Sequence, residues 1–256
     1  MLQIQPQVHT LENWTALALR QGLSFEALEP SLEPWLSDEA KREALCARLR
    51  GQAAVTSLHG AFIDINPGSG DPELRRLSMQ RCEESCIAAE QLGASAVVFH
   101  CSCFPFLRGG YLERWADLCA QAYRTLADRH ELLICVENSM DVDTAPLCAL
   151  MERAGSARIG VCLDIGHANY SRQSIDRWFS DLRGHIRYLH LSDNRGAFDE
   201  HLPLGEGTVD WKRVDALWQS ADRPERLTLE VGGLDGVEKS LAFLRKNGLF
   251  GLGEES

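Results

Sequence analysis

Ile159-Gly160-Val161-Cys162-Leu163-Asp164-Ile165-Gly166-His167 opens as a short apolar run and stops on an acid. A short β-branched run of this kind reads as a buried strand. A buried strand that ends in charge is costly unless the charge meets a partner. The arrangement recurs on both sides. Upstream lie Ala54-Val55-Thr56-Ser57-Leu58-His59, Ala96-Val97-Val98-Phe99-His100 and Leu132-Leu133-Ile134-Cys135-Val136-Glu137. Downstream lie Ile186-Arg187-Tyr188-Leu189-His190 and Leu227-Thr228-Leu229-Glu230. Every run closes on a residue type that binds metals or moves protons. Parallel strands in a closed barrel bring all their C-terminal ends to one rim, where these groups could meet a metal ion.

Helical stretches separate the runs. They are expected over Leu11–Gln21, from Ser37-Asp38-Glu39 to Gly51, and over 72–93, 111–129, 144–154, 174–182, Trp211–Ser220 and 237–247. The first strand is placed within 2–9 and the second over 24–28. About eight strand-then-helix units imply parallel strands with right-handed crossovers. Eight units in this length favour a single (β/α)8 TIM barrel, one domain over residues 1–256. The tail 251–256 is expected to fray.

The chain has 256 residues, 45% apolar and 25% charged, as in ordinary soluble domains. A net charge of −11 argues against a broad nucleic-acid or membrane surface. Nine cysteines, mostly inside apolar runs and helices, read as reduced thiols. Cys101 and Cys103 read as loop packing rather than a soft-metal site. No secretory signal or membrane span is visible, so the cytoplasm is the expected location.

Glu137, Asp164, His190 and Glu230 would end strands five to eight. One nitrogen and three carboxylates suit Mn²⁺, Mg²⁺, Zn²⁺ or Co²⁺, with open positions for substrate. Three crowded carboxylates would raise one another's pKa unless a cation sat among them. One such acid alone would read as a cap or a surface ion pair; four at the same point of four units read as a metal core. His59 and His100 end strands three and four and are candidates for metal or substrate contact. Their plainer reading is a core imidazole bonded to backbone. His167 follows Asp164 by three residues, and Gly166 is taken to let the chain turn so that both face the cavity. Asp199 and His201, in the loop after strand seven, can reach back over the same mouth. Arg195 is a candidate anion contact, against the plainer reading of a solvated loop arginine. His130 and His185 precede strands and are expected to be structural. His9 could end the first strand. Trp115 and Trp178 read as packing residues rather than walls of a sugar pocket.

The pattern resembles the xylose isomerase-like TIM-barrel superfamily, which includes sugar-phosphate isomerases and epimerases and the AP endonuclease family. The resemblance runs from about residue 54 to 231. It is carried by Ser57-Leu58-His59-Gly60-Ala61, Val98-Phe99-His100, Val136-Glu137-Asn138, Cys162-Leu163-Asp164-Ile165-Gly166-His167-Ala168-Asn169 and Leu189-His190-Leu191-Ser192-Asp193-Asn194. Asp199-Glu200-His201-Leu202-Pro203-Leu204-Gly205-Glu206-Gly207 and Leu229-Glu230-Val231 complete it. On the epimerase side, the resemblance implies one divalent metal held by Glu137, Asp164, His190 and Glu230. The two glutamates would also be the catalytic proton-transfer groups. On the endonuclease side, it implies up to three zinc ions held by those four together with His59, His100, His167, Asp199 and His201.

The favoured expectation is a divalent-metal-dependent isomerase or epimerase of a sugar or sugar phosphate. It would work by proton transfer through a metal-stabilised enediolate. His167 and His201 would orient substrate hydroxyls or a phosphate. The alternatives are a zinc phosphodiester hydrolase of the AP endonuclease type and a non-catalytic metal-binding barrel. An acidic chain, scarce lysine, and mouth loops that are short apart from 101–110 and 192–207 argue against a nucleic-acid partner. A homo-oligomer is implied by the resemblance alone.

Overall fold

A computed structural model describes residues 1–221 and 223–253. Eight strands pair in sequence order and close into a barrel, every pair parallel. They are β1 (Leu2–Ile4), β2 (Ser24–Ala27), β3 (Val55–His59), β4 (Ala96–His100), β5 (Leu133–Glu137), β6 (Ile159–Asp164), β7 (Ile186–Leu191) and β8 (Arg226–Leu229). Helices fill the connections: α1 (Leu11–Gln21), α2 (Glu39–Arg50), α3 (Pro72–Leu92), α4 (Gly110–His130), α5 (Ala145–Ala154), α6 (Ile165–Tyr170), α7 (Ile175–Asp181), α8 (Trp211–Ser220) and α9 (Gly233–Asn247).

The expected elements are present, and their edges move where local chemistry decides. Asp38 and Asp71 cap α2 and α3, their carboxylates accepting from Lys41 N and from Glu73 and Leu74 N. Helix α9 begins at Gly233, four residues earlier than expected. A third long mouth loop, 60–71, joins the two expected ones. Gly251 closes a single 3₁₀ turn, Leu249–Gly251, rather than fraying, and residues 254–256 lie outside the described residues.

The main core lies between barrel and helices. Inside the barrel, Val98, Cys135, Cys162 and Tyr188 form a separate small cluster. The remaining interior is polar: Gln3, Glu26, Ser57 and Thr228 are fully buried on β1, β2, β3 and β8. Strand register places His100 opposite Glu137 and Asp164 opposite His190. The strand-end groups therefore sit side by side at one rim. Trp178 is buried with its Nε1 donating to Ser171, and Trp115 packs under Gly68, so both are packing residues. All nine cysteines are free thiols, and Cys101 donates to Asp141 at 3.2 Å within its loop.

Candidate metal centre at the barrel mouth

Glu137 is the hub. Its side chain is fully buried, and four imidazoles surround it. His59 Nε2 and His100 Nε2 lie 3.4 and 3.6 Å from one carboxylate oxygen. His167 Nδ1 and His190 Nδ1 lie 3.3 and 3.4 Å from the other. Asn138, next along the chain, ties this strand end to β6: its side chain donates to Asp164 O and accepts from Asp164 N. Asp164 in turn caps α6, accepting from His167 N. The cap starts a helix directly at the strand end, so His167 stands on α6 rather than in a loop.

Gly166 serves by closeness, not by an unusual turn. It is part of α6, and a Cβ there would collide with Ser192 Oγ of the segment after β7. Similarly, a Cβ at Gly207 would collide with Asp193. Asp193 is a buried structural acid that accepts from Gly205 N, Val209 N and Trp211 Nε1. It holds the 192–207 loop over the mouth.

The nine expected residues come together in three sets. They are His59, His100 and Glu137; Glu137, Asp164, His190 and Glu230; and His167, Asp199 and His201. Within each set the ligand atoms lie within 4.8 Å of one another. Glu137 is common to the first two.

Three of the imidazoles have their tautomer fixed by a main-chain carbonyl. His59 Nδ1 donates to Gly60 O, His167 Nδ1 to Asn138 O and His201 Nδ1 to Glu230 O, at 3.0, 2.7 and 2.7 Å. Their Nε2 atoms then face carboxylates, that of His59 toward Glu137 and those of His167 and His201 toward Asp199. His190 is held the opposite way, with Nε2 at 3.2 Å from Glu26 Oε2.

The four-donor set passes a chemical test for a cation. Both Glu137 oxygens, Asp164 Oδ2, Glu230 Oε2 and His190 Nδ1 are buried and lack a hydrogen-bond partner. His190 Nδ1 and Glu230 Oε2 approach to 2.9 Å without hydrogen-bond alignment. Buried acceptors clustered without donors are stabilised by a positive ion at their centre. The set therefore fits a divalent metal.

Without metal, protons must serve instead. Burial opposes charge on His190, but Cys162, Glu26, Glu137 and Glu230 around it push its pKa well up. Burial also opposes ionisation of Glu137 and Glu230, yet His190 outweighs it. Glu137 falls well below its usual value, and Glu230 falls to about 2. Asp164, raised chiefly by burial, reaches about 6. Burial lowers His100 to about 4. In the outer set, burial works against charge on His201, but Asp199 lifts it to about 9.

The mouth holds a cavity of about 360 Å³. Trp14, Leu28 and Phe62 wall it, with His59, His100, His167, Asp199, His201 and Glu230 on its floor and rim. No lysine or arginine is among the described lining residues. Arg195 lies outside the lining, exposed and paired with Glu200. His9 is exposed in the 3₁₀ turn Val8–Thr10 and is not among the residues that line this cavity. His130 pairs with Glu83 and Glu90, as a structural histidine would.

The residues that sequence reading missed are Glu26, Gln5, Trp14, Phe62 and Asn138. Glu26 had a visible signal, a lone acid in the short run Ser24-Phe25-Glu26-Ala27.

Residues 17–247 match the family model described as a xylose isomerase-like TIM barrel. This chain belongs to that family. Among curated relatives, the uncharacterized protein MJ1311 of Methanocaldococcus jannaschii is 26% identical over 61% of this chain, a match that spans 57% of that protein. A probable endonuclease 4 of Mycobacterium marinum is 27% identical, over 90% of this chain and 94% of its own. A solved D-tagatose 3-epimerase-like protein superposes with a TM-score of 0.79 at 22% identity, over 96% of each chain. The TTHB071 protein from Thermus thermophilus, soaked with ZnCl2, gives 0.77 at 27% identity over 96% of each. Among the described residues, no helix is long and apolar enough to cross a membrane.

Proposed function

We propose that this protein is a divalent-metal-dependent isomerase or epimerase of an unphosphorylated sugar. The carrying observation is the four-donor set, which opens through Glu230 onto a small cavity walled in part by Trp14, Leu28 and Phe62, with no lysine or arginine among its described lining residues. Apolar walls suit the C–H faces of a sugar, and the missing lysine and arginine disfavour a phosphate group. Trp14 Nε1 and Glu29 Oε2, on two lining residues, are buried without hydrogen-bond partners, a donor and an acceptor suited to hydroxyls.

The metal, when bound by Glu137, Asp164, His190 and Glu230, would polarise a substrate carbonyl and favour the enediolate. Glu230 is the carboxylate of that set that reaches the cavity, so it is assigned removal of the proton beside the carbonyl. Return by Glu230 to the adjacent carbon gives isomerisation. Return by Glu137 on the other side gives epimerisation. Glu137 is enclosed among four imidazoles and does not line the cavity, which favours the former route.

The three donor sets favour a second reading, a zinc phosphoester hydrolase in which metal rather than arginine holds the phosphate. One experiment separates the two. Manganese- or zinc-loaded protein is incubated in D2O with tagatose, allulose and fructose, and in parallel with DNA carrying an abasic site. Deuterium entering a ketose, and lost in Glu230→Gln, supports the isomerase reading. Cleavage of the abasic strand without sugar exchange replaces it with the hydrolase.

A further inference from the structure

Glu26 lies midway along β2 with 0% of its surface exposed, and the proton-transfer scheme gives it nothing to do. Yet it is one of the best-partnered acids in the chain. Its Oε1 accepts from Gln5 Nε2 at 2.8 Å, and its Oε2 accepts from Tyr188 OH and, at 3.3 and 3.4 Å, from Ser57 and Thr228 hydroxyls. Both oxygens also face His190 Nε2, at 3.1 and 3.2 Å. Gln5 Nε2 reaches on to Glu230 Oε1 at 3.2 Å, so the same network touches a second metal-type donor.

The contrast with the other imidazoles is informative. Main-chain carbonyls fix His59, His167 and His201 through Nδ1. His190, the imidazole of the four-donor set, is fixed through Nε2, and by a full carboxylate. An acceptor on the far ring nitrogen sets which nitrogen carries the lone pair, and a charged one makes that nitrogen a stronger ligand. We propose that Glu26 is a positioning residue of the metal centre: it keeps the His190 proton on Nε2 and so presents Nδ1 to the cation. This rests on the metal-dependent reading above.

A merely structural Glu26 would only satisfy the hydroxyls below it, and the test separates the two roles. Full-length zinc-loaded protein labelled with ¹⁵N-histidine is measured by long-range ¹H–¹⁵N NMR. Zinc affinity is measured by competition with a chromophoric chelator for wild type, Glu26→Gln, Glu26→Ala and Tyr188→Phe. In wild type, His190 is expected to carry its proton on Nε2 with Nδ1 ligated. Glu26→Gln and Glu26→Ala should weaken zinc binding at one site by about 10- to 100-fold. Tyr188→Phe should lower Tm but keep zinc affinity, because it leaves the contact between Glu26 and His190 intact. A His190 proton on Nδ1, or Glu26 variants that bind zinc as wild type does, overturns the proposal. If Glu26→Ala does not fold, Glu26→Gln and the wild-type spectrum decide. If zinc does not bind, manganese, cobalt and magnesium are titrated in its place, and wild-type protein that binds none of the four would instead sink the metal-dependent reading itself.

Discussion

The strand-end set of Glu137, Asp164, His190 and Glu230 and the outer set of His167, Asp199 and His201 use the same residue types and are held in different ways. The strand-end groups come from β5, β6 and β7 and from the residue just after β8, and the least buried, Glu230, has 15% of its side chain exposed. Their unpaired oxygens and nitrogen face one another. The outer set joins α6 to the loop after β7, with Asp199 and His201 about one-third exposed. It satisfies itself: Asp199 Oδ2 accepts from His201 Nε2 at 2.8 Å and from His167 Nε2 at 3.3 Å. The lesson is that metal-type residues within reach of one another are not equal evidence for a metal. The inner set is incomplete without a cation, whereas the outer set already has its protons and partners.

Substitutions can break that contrast. Glu137→Ala should have the largest effect, because it strips the shared acid from four imidazoles, three of them buried. Removing one partner of a buried charge pair costs about 3–5 kcal/mol. Urea unfolding of the metal-free variant should show a loss of that order, and metal content should fall with it. Gly166→Ala comes next, since its methyl group would push α6 away from Ser192. Overpacking of this kind costs about 1–3 kcal/mol, and Ser192→Gly in the same chain should restore part of it. Asp199→Asn should matter least for stability, about 1 kcal/mol or less for a partly exposed pair. Ketose exchange should survive Asp199→Asn if the outer set only contacts substrate, and hydrolysis should be lost if it holds a metal.

A pH dependence completes the comparison. His201 is raised to about 9 in the fold, against about 6.5 unfolded. A raised pKa means that the charged form stabilises the folded state. That stabilisation is fully present below about pH 6.5 and fades as pH rises through about 9. Metal-free protein should therefore lose Tm across that window, and Asp199→Asn should flatten the loss.

The barrel was legible because six of the eight strands lie in apolar runs with a polar stop and most helices carry an acidic N-cap or a glycine stop. The nine mouth residues were legible for the same reason, being at strand ends or in one Asp-Glu-His stretch. Three features were not. Glu26 sits inside a strand, where no apolar run ends on it. The polar half of the barrel interior, Gln3, Ser57 and Thr228 with Glu26, cannot be read from alternation, because alternation does not say which strands face one another. Gly166 reads in sequence as a sharp turn, but its reason is the neighbouring Ser192, 26 positions on in the chain and close only once folded.

The strand-end set's need for a divalent cation underlies the reaction proposed above. It is tested most directly by titrating zinc, manganese, cobalt and magnesium in turn into chelator-stripped protein while following Tm and bound metal. An ion at 100 times its Kd stabilises a fold by about 2.7 kcal/mol. At least one of the four should bind with one or more ions per chain and raise Tm, and Asp164→Asn should abolish the rise. Stripped wild-type protein that binds none of the four, with an unmoved Tm, would contradict the account.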